Sequence, residues 1–283
     1  MFIFLMALYF IANTAGRLLI RVFTQKTKLD PYSASLAIMA PSYLIGLTYG
    51  LTQQEQPLLL GFTPMLAGLV LLVGVMQVLS GKISMITQKH IETAPYIVMR
   101  MLFVPTSVLV STLFLGESLT LIQLAGMISI LTGVSIVSTG GKLPHVKHLG
   151  RYELLTLANS IFLGVYVIFN RYLIEQTSLS TLMVVFAGLE MIPLLLTVAK
   201  RPLMKPSKMD LKLSLGMGIT SVIHIVAFWL AVELVDNVAL VSSLSAFRIV
   251  TIFIGSYIIL KEKSNFKQKV IGSLLATAGL LLS

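Results

Sequence analysis

Two arginines stand where a cation is costly: Arg100 in APYIVMRMLFV and Arg248 in SAFRIVTIFIG, both apolar stretches. A guanidinium within hydrocarbon costs about 2.5–3.5 kcal/mol on insertion scales, so one that is kept there is a candidate for function. Its planar fork suits a carboxylate or phosphate, which it binds through paired hydrogen bonds. Each arginine precedes an acidic turn, Arg100 by seventeen residues before Glu117 and Arg248 by fourteen before Glu262. The difference of three is close to one helical turn, so both can occupy similar faces. Two cations facing one midplane cavity would hold the negative group of a small molecule. The alternatives are that Arg100 snorkels to an interface and that Arg248 pairs with an internal acid.

Glu190, in VVFAGLEMIPLLL, would be that acid or a proton-coupling site, and Pro193 beside it loosens the backbone. His224, in SVIHIVAFW, is either a packed, hydrogen-bonded residue or a proton carrier. No second His, Asp or Glu stands at ligand spacing beside it, so neither a metal nor any other cofactor is expected. Among uncharged residues, Asn13, Gln77, Asn159 and Asn170 could line a cavity or bond between helices. Tyr43, Tyr96, Tyr166 and Trp229 could line it too, though rings near span ends commonly anchor a helix at the interface.

The elements that must position these residues are membrane helices. The 283 residues are 56% hydrophobic and 11% charged, with a mean hydropathy of +0.92, and a soluble domain carries about 25% charge. Segments apolar all round need lipid as their solvent, at about twenty residues per crossing. Ten spans are expected, roughly 1–20, 33–50, 64–80, 95–115, 119–138, 152–173, 180–199, 213–232, 237–260 and 266–282. Residues 1–20 lack a basic leader and a cleavage site, and read as the first span. The absence of cysteine excludes disulfides and thiol chemistry. The net charge of +10 lies in short runs between apolar segments, which points to membrane-flanking cations and away from nucleic acid. No phosphate-binding glycine motif, Ser/His/Asp set or paired carboxylates suggest a nucleotide site or catalysis.

The chain repeats itself. Residues 94–138 and 237–282 each read as an apolar span, a turn on a Glu and a second apolar span. Gly126 and Gly133 follow Glu117 as Gly272 and Gly279 follow Glu262, both pairs seven apart. Glu117 and Glu262 are expected to cap helix N-termini, where a carboxylate meets free N–H groups. The small-residue rows, and Gly46 with Gly50, are expected to let helices approach closely. Five spans per half, residues 1–141 and 142–283, would insert the second half upside down. The fold expected is therefore an all-α integral membrane protein of ten transmembrane helices in two inverted five-helix repeats.

LGESL with Pro105, Gly126 and Gly133, and LKEKS with Gly272 and Gly279, resemble the EamA-type transporters of the drug/metabolite transporter superfamily. The second copy lacks the proline and is expected to run on through SAFRIVTIFIG. The resemblance implies a carrier that moves a small metabolite across the lipid bilayer without ATP, and helices able to support a homodimer. The reading is a secondary transporter of an anionic or zwitterionic substrate held by Arg248 and Arg100. Glu190 or His224 would couple a proton. The rival readings are a membrane-embedded enzyme on a lipid-linked substrate, which the scattered acids disfavour, and a non-transporting assembly subunit.

Eighteen Lys and Arg, Arg17 and Arg21 among them, are assigned to the odd-numbered connections, against Arg171 alone in the even ones. The positive-inside rule then puts the odd connections in the cytoplasm and both termini outside the cell membrane. The resemblance implies the opposite, with cytoplasmic termini. A reporter fused after Ser283 that is active only outside the cytoplasm is expected to be active; an inactive, stably made fusion reverses the assignment.

Overall fold

The computed structural model describes residues 1–52, 63–115, 120–139, 150–176, 184, 191–199, 203–235, 241, 244–245, 247–262 and 265–282. Among them the chain forms eleven helices and no strand. They are α1 (Phe2–Lys26), α2 (Pro31–Thr52), α3 (Pro64–His90), α4 (Thr93–Arg100), α5 (Phe103–Leu115) and α6 (Leu121–Thr139) in the first half. The second half holds α7 (Arg151–Gln176), α8 (Met191–Ala199), α9 (Lys208–Val235), α10 (Arg248–Ile259) and α11 (Phe266–Leu282). Six stretches, in α1, α2, α3, α4–α5, α7 and α9, are long and apolar enough to cross a membrane. Leu113, Leu121, Ile128 and Ile258 are among many large apolar side chains left exposed, as a lipid-facing surface requires.

Four spans differ from the sequence expectation. The first runs to Lys26 instead of ending near residue 20, and the third runs to His90 instead of 80. Arg17 and Arg21 are therefore helical residues inside α1 and not loop cations. The fourth is split into α4 and α5. Pro105 cannot donate to Met101, so the Met101 carbonyl accepts from Val104 at 3.0 Å instead. The second copy also breaks, although it has no proline. A turn at Phe247, whose N–H bonds the Leu244 carbonyl at 3.1 Å, precedes α10. Met101 lies sixteen residues before Glu117 and Phe247 fifteen before Glu262, so the two breaks correspond.

The glycine rows meet each other. Gly126 opposes Gly279, and Gly133 opposes Gly272, so α6 and α11 run antiparallel. A Cβ at Gly133 would stand 2.5 Å from the Gly272 carbonyl oxygen, and one at Gly279 would stand 2.5 Å from that of Gly126. The approach lets Ser129 donate to the Leu275 carbonyl across the seam at 2.8 Å. Between them sit Ile130 and Ala276, both fully buried.

The helix ends beside the odd-numbered connections gather on one face. Glu262, at the α10–α11 turn, reaches Arg21 near the end of α1 and Thr93 at the start of α4. Lys269 of α11 pairs with Glu92. His90 stacks on Tyr152 with centroids 3.8 Å apart, and the Met204 N–H donates to Ser33 Oγ at 3.2 Å.

The seam predicts a graded cost. Gly133→Leu is expected to lower stability in detergent by about 1–3 kcal/mol through overpacking. Gly68→Leu, where a Cβ meets nothing within 4 Å, is the control. Equal thermal unfolding of the two variants would show that the α6–α11 contact yields freely.

Candidate functional site

The site is built on one face of α1. Tyr9, Asn13, Arg17 and Arg21 recur every four residues, which stacks them on a single helical stripe. The lower end of that stripe is structural. Arg21 is buried, donates from Nε to Glu262 Oε1 at 3.0 Å and reaches the Gln88 carbonyl as well. Glu262 Oε2 accepts from the Thr93 N–H at 2.8 Å, and Oε1 accepts from Thr93 Oγ1 at 3.3 Å. Glu262 thus caps a helix N-terminus, as its type predicts, but the helix is α4 and not the α11 that follows it. Glu92, the residue before α4, makes no side-chain cap of its own. The turn aims the carboxylate. Lys261 takes a left-handed φ of 57°, and the Glu262 N–H returns to the Ser256 carbonyl at 3.3 Å, closing the C-terminus of α10. Glu117 lies outside the described residues.

One turn further into α1 stands Arg17, which feels the charges of Arg100 and Arg248 and lies near Tyr9 and Tyr96. The helix registers explain the meeting. Along α1 and α10, Tyr9 bonds Arg248, Thr14 donates to Thr251 at 2.8 Å, and Arg21 meets Glu262, so the two helices run parallel. The Thr93 tie sets α4 beside the level of Arg21, and Arg100 lies seven residues, about 10 Å, further along. All three guanidiniums then fall within about two helical turns. Arg100 Nη1 donates to Tyr96 Oη at 3.4 Å, with its guanidinium 5.7 Å from that ring's centre. Arg248 Nη1 donates to Tyr9 Oη at 3.1 Å. Both tyrosines are buried, whereas the three arginines are partly exposed. Among the described residues no carboxylate pairs with any of the three.

His224 of α9 joins the same site. Its ring is 6.1 Å from that of Tyr9, and the charges of Arg17 and Arg248 reach it. Its Nδ1 lies 3.0 Å from the Thr220 carbonyl, an acceptor, so Nδ1 carries a hydrogen and Nε2 is left for other work. Asn13 is 4% exposed, and its Oδ1 has no partner among the described residues. Asn159, its counterpart in α7, donates to Ser84 Oγ at 3.3 Å and the Ser80 carbonyl at 3.5 Å, a bond between helices. Gln77 is half-buried on α3 and makes no hydrogen bond among the described residues. Tyr166 packs against the cluster of Leu66, Val70, Val73 and Leu173. Glu190, and the side chains of Asn170, Pro193 and Trp229, lie outside the described residues. No group of three His, Asp or Glu that could hold a metal occurs among those described.

Arg17 is the residue that sequence reasoning misplaced. Its signal was present: LLI and VF after it continue the apolar run, and Tyr9, Asn13 and Arg17 share one face.

The tie at the end of α1 gives a prediction. Both side chains of the Arg21–Glu262 pair are only 7% exposed. Glu262→Gln leaves a buried guanidinium uncompensated and is expected to destabilise by about 3 kcal/mol or more. Replacing both residues by Met should recover most of that loss, measured by thermal unfolding in detergent. A neutral Glu262→Gln would mean that this pair does not hold the bundle end.

Comparison with known proteins agrees with this architecture. A solved crystal structure superposes over 98% of this chain and 96% of that one, with a TM-score of 0.62 at 14% identity, a likeness of fold. No curated protein matches the sequence. The model of the EamA-like transporter family matches residues 150–283. That match covers the second half of the chain and, with several helices long and apolar enough to cross a membrane, supports membership of the EamA-like family within the drug/metabolite transporter superfamily.

Proposed function

We propose that the chain is a secondary transporter of a small anionic or zwitterionic metabolite. It works without ATP, by exposing one midplane site to the two sides of the membrane in turn. The observation that carries this reading is the meeting of Arg100 and Arg248. They come from different halves of the chain, at corresponding helix breaks, and share one partly exposed site. Broken helices near the midplane are where carriers of this general kind hold ligands, because the interrupted backbone and helix ends face the cavity.

The organisation as two inverted repeats, 1–141 and 142–283, has independent support. The two glycine rows mate antiparallel, as rows related by a twofold axis in the membrane plane must. Other pairings correspond as well: α1 packs on α9 and α10, while α7 packs on α3 and α5. Exchanging the halves maps one set onto the other. The gathering of the odd connections on one face, together with their excess of Lys and Arg, favours that face as cytoplasmic.

Arg248→Ala is expected to abolish uptake of an anionic metabolite by proteoliposomes while insertion and monodispersity stay normal. Unimpaired transport would remove Arg248 from the site. Should transport be concentrative, His224→Gln is expected to leave equilibration intact but stop accumulation driven by a pH gradient, as an uncoupler does in the wild type. Accumulation unchanged in both tests would exclude proton coupling through His224.

A further inference from the structure

We propose that Arg17, Arg100 and Arg248 form one site for a compact dianion, such as a phosphate monoester or a short dicarboxylate, with Arg17 as its third ligand. The inference rests on the reading of the protein as an anion carrier, and it adds the charge of the substrate and a residue to the site.

Charge balance sets the valence of the ligand. Three guanidiniums from three helices converge within about two turns, and none meets a carboxylate among the described residues. The protein does pair cations elsewhere when it buries them: Arg21 has Glu262, and Lys269 has Glu92. Within the same bundle, Arg17 stands one turn from the Arg21 pair and has no such partner among the described residues. A monoanion would leave two of the three charges uncompensated in a low-dielectric site, where like charges repel strongly. A dianion leaves one.

The backbone at Arg248 favours an anion as well. Arg248 is the first residue of the twelve-residue α10, preceded by Phe247, which offers no side-chain cap. The N-terminus of a helix carries partial positive charge that disfavours a cation and favours an anion. Arg248 and the helix end therefore reinforce each other toward a bound negative group. Asn13 lies between Tyr9 and Arg17 on the same stripe. Its amide is buried, and its Oδ1 has no partner among the described residues. An unpaired amide oxygen beside a cationic centre is matched by a carbon-bound hydroxyl of the ligand, set beyond its anionic group, which inorganic phosphate and succinate lack. The Tyr9 and Tyr96 hydroxyls accept from Arg248 and Arg100, and each keeps its own hydrogen to donate to an anion.

The test is direct binding to the purified full chain in phosphatidylcholine nanodiscs, at matched ionic strength. The probes are inorganic phosphate, glycerol 3-phosphate, succinate and lactate. The dianions are expected to bind at least about tenfold more tightly than lactate, and glycerol 3-phosphate more tightly than inorganic phosphate. Arg17→Gln should remove most of the dianion preference while lactate binding changes little, and Arg17→Lys should restore part of it. Arg151→Gln, at an exposed surface cation, is the control. Equal binding of lactate and the dianions overturns the inference and leaves the anion-carrier reading standing. So does a dianion preference that Arg17→Gln does not alter in a monodisperse protein. Loss of dianion binding on exchange into phosphatidylglycerol nanodiscs would assign the arginines to a lipid headgroup and overturn the soluble ligand. Binding of no probe by the wild type would defeat both readings.

Discussion

The structure is governed by the cost of positive charge in a low-dielectric medium. Its interior cations divide into two sets. Arg21 and Lys269 are buried and paired with Glu262 and Glu92, at the end of the bundle where the odd connections gather. Arg17, Arg100 and Arg248 lie deeper, remain partly exposed, and have no carboxylate among the described residues. The two sets do different work because of that difference. A buried pair that is also hydrogen-bonded to backbone fixes one geometry, and losing either member strands the other. A partly exposed cation with no carboxylate among the described residues keeps its capacity for a partner from outside.

The helix breaks give the unpaired set a direction. Arg100 closes α4, where the negative end of the helix dipole stabilises a guanidinium. Arg248 opens α10, where the dipole works against it. The helix before one break and the helix after the other thus present opposite ends to the site, and the arginines inherit unequal compensation. Arg100 also lies near the Tyr96 ring, whereas Arg248 has one phenol hydrogen bond. Among the described residues, Arg248 has the fewer favourable contacts of the two. The tyrosines orient both side chains without neutralising them.

Much of this was legible in the sequence because repetition and hydropathy are local signals. The two glycine pairs seven residues apart anticipated a close helix seam, although not that the two rows would mate with each other. Arg100 and Arg248 stood out because a cation in an apolar stretch is rare. Arg17 did not, because it lies near Arg21, Lys26 and Lys28, and a run of cations after an apolar segment reads as its end. Only tertiary structure separates them: Arg21 is held inside by Glu262, 241 residues away, so α1 continues past both arginines. The target of Glu262 was equally invisible. A carboxylate in a turn signals a cap, but nothing local says which helix it caps. The break at Phe247 has no proline to announce it, whereas the break after Arg100 follows from Pro105.

The stripe on α1 links the two sets of charges mechanically. Arg21 and Arg17 are four residues apart, a rise of about 6 Å, so a displacement of one displaces the other. The Glu262 carboxylate joins α1, α4 and the end of α10, the same three helices that carry Arg17, Arg100 and Arg248. The tie and the three arginines therefore share the same helices. The α6–α11 seam, by contrast, contributes no arginine, and its glycines leave no room to slide without backbone contact. A rocking motion about such a seam would keep α6 and α11 together and demand that the Glu262 tie either open or travel as a unit with its three helices. If it travels, the distances among the three guanidiniums are preserved and the site keeps its affinity on both sides. If it opens, Arg21 loses its carboxylate just as α1 moves Arg17, and substrate affinity becomes dependent on which face is closed. The buried, multiply bonded geometry of Glu262 favours travel, since opening would strand the Arg21 charge, whereas rigid-body movement strands nothing.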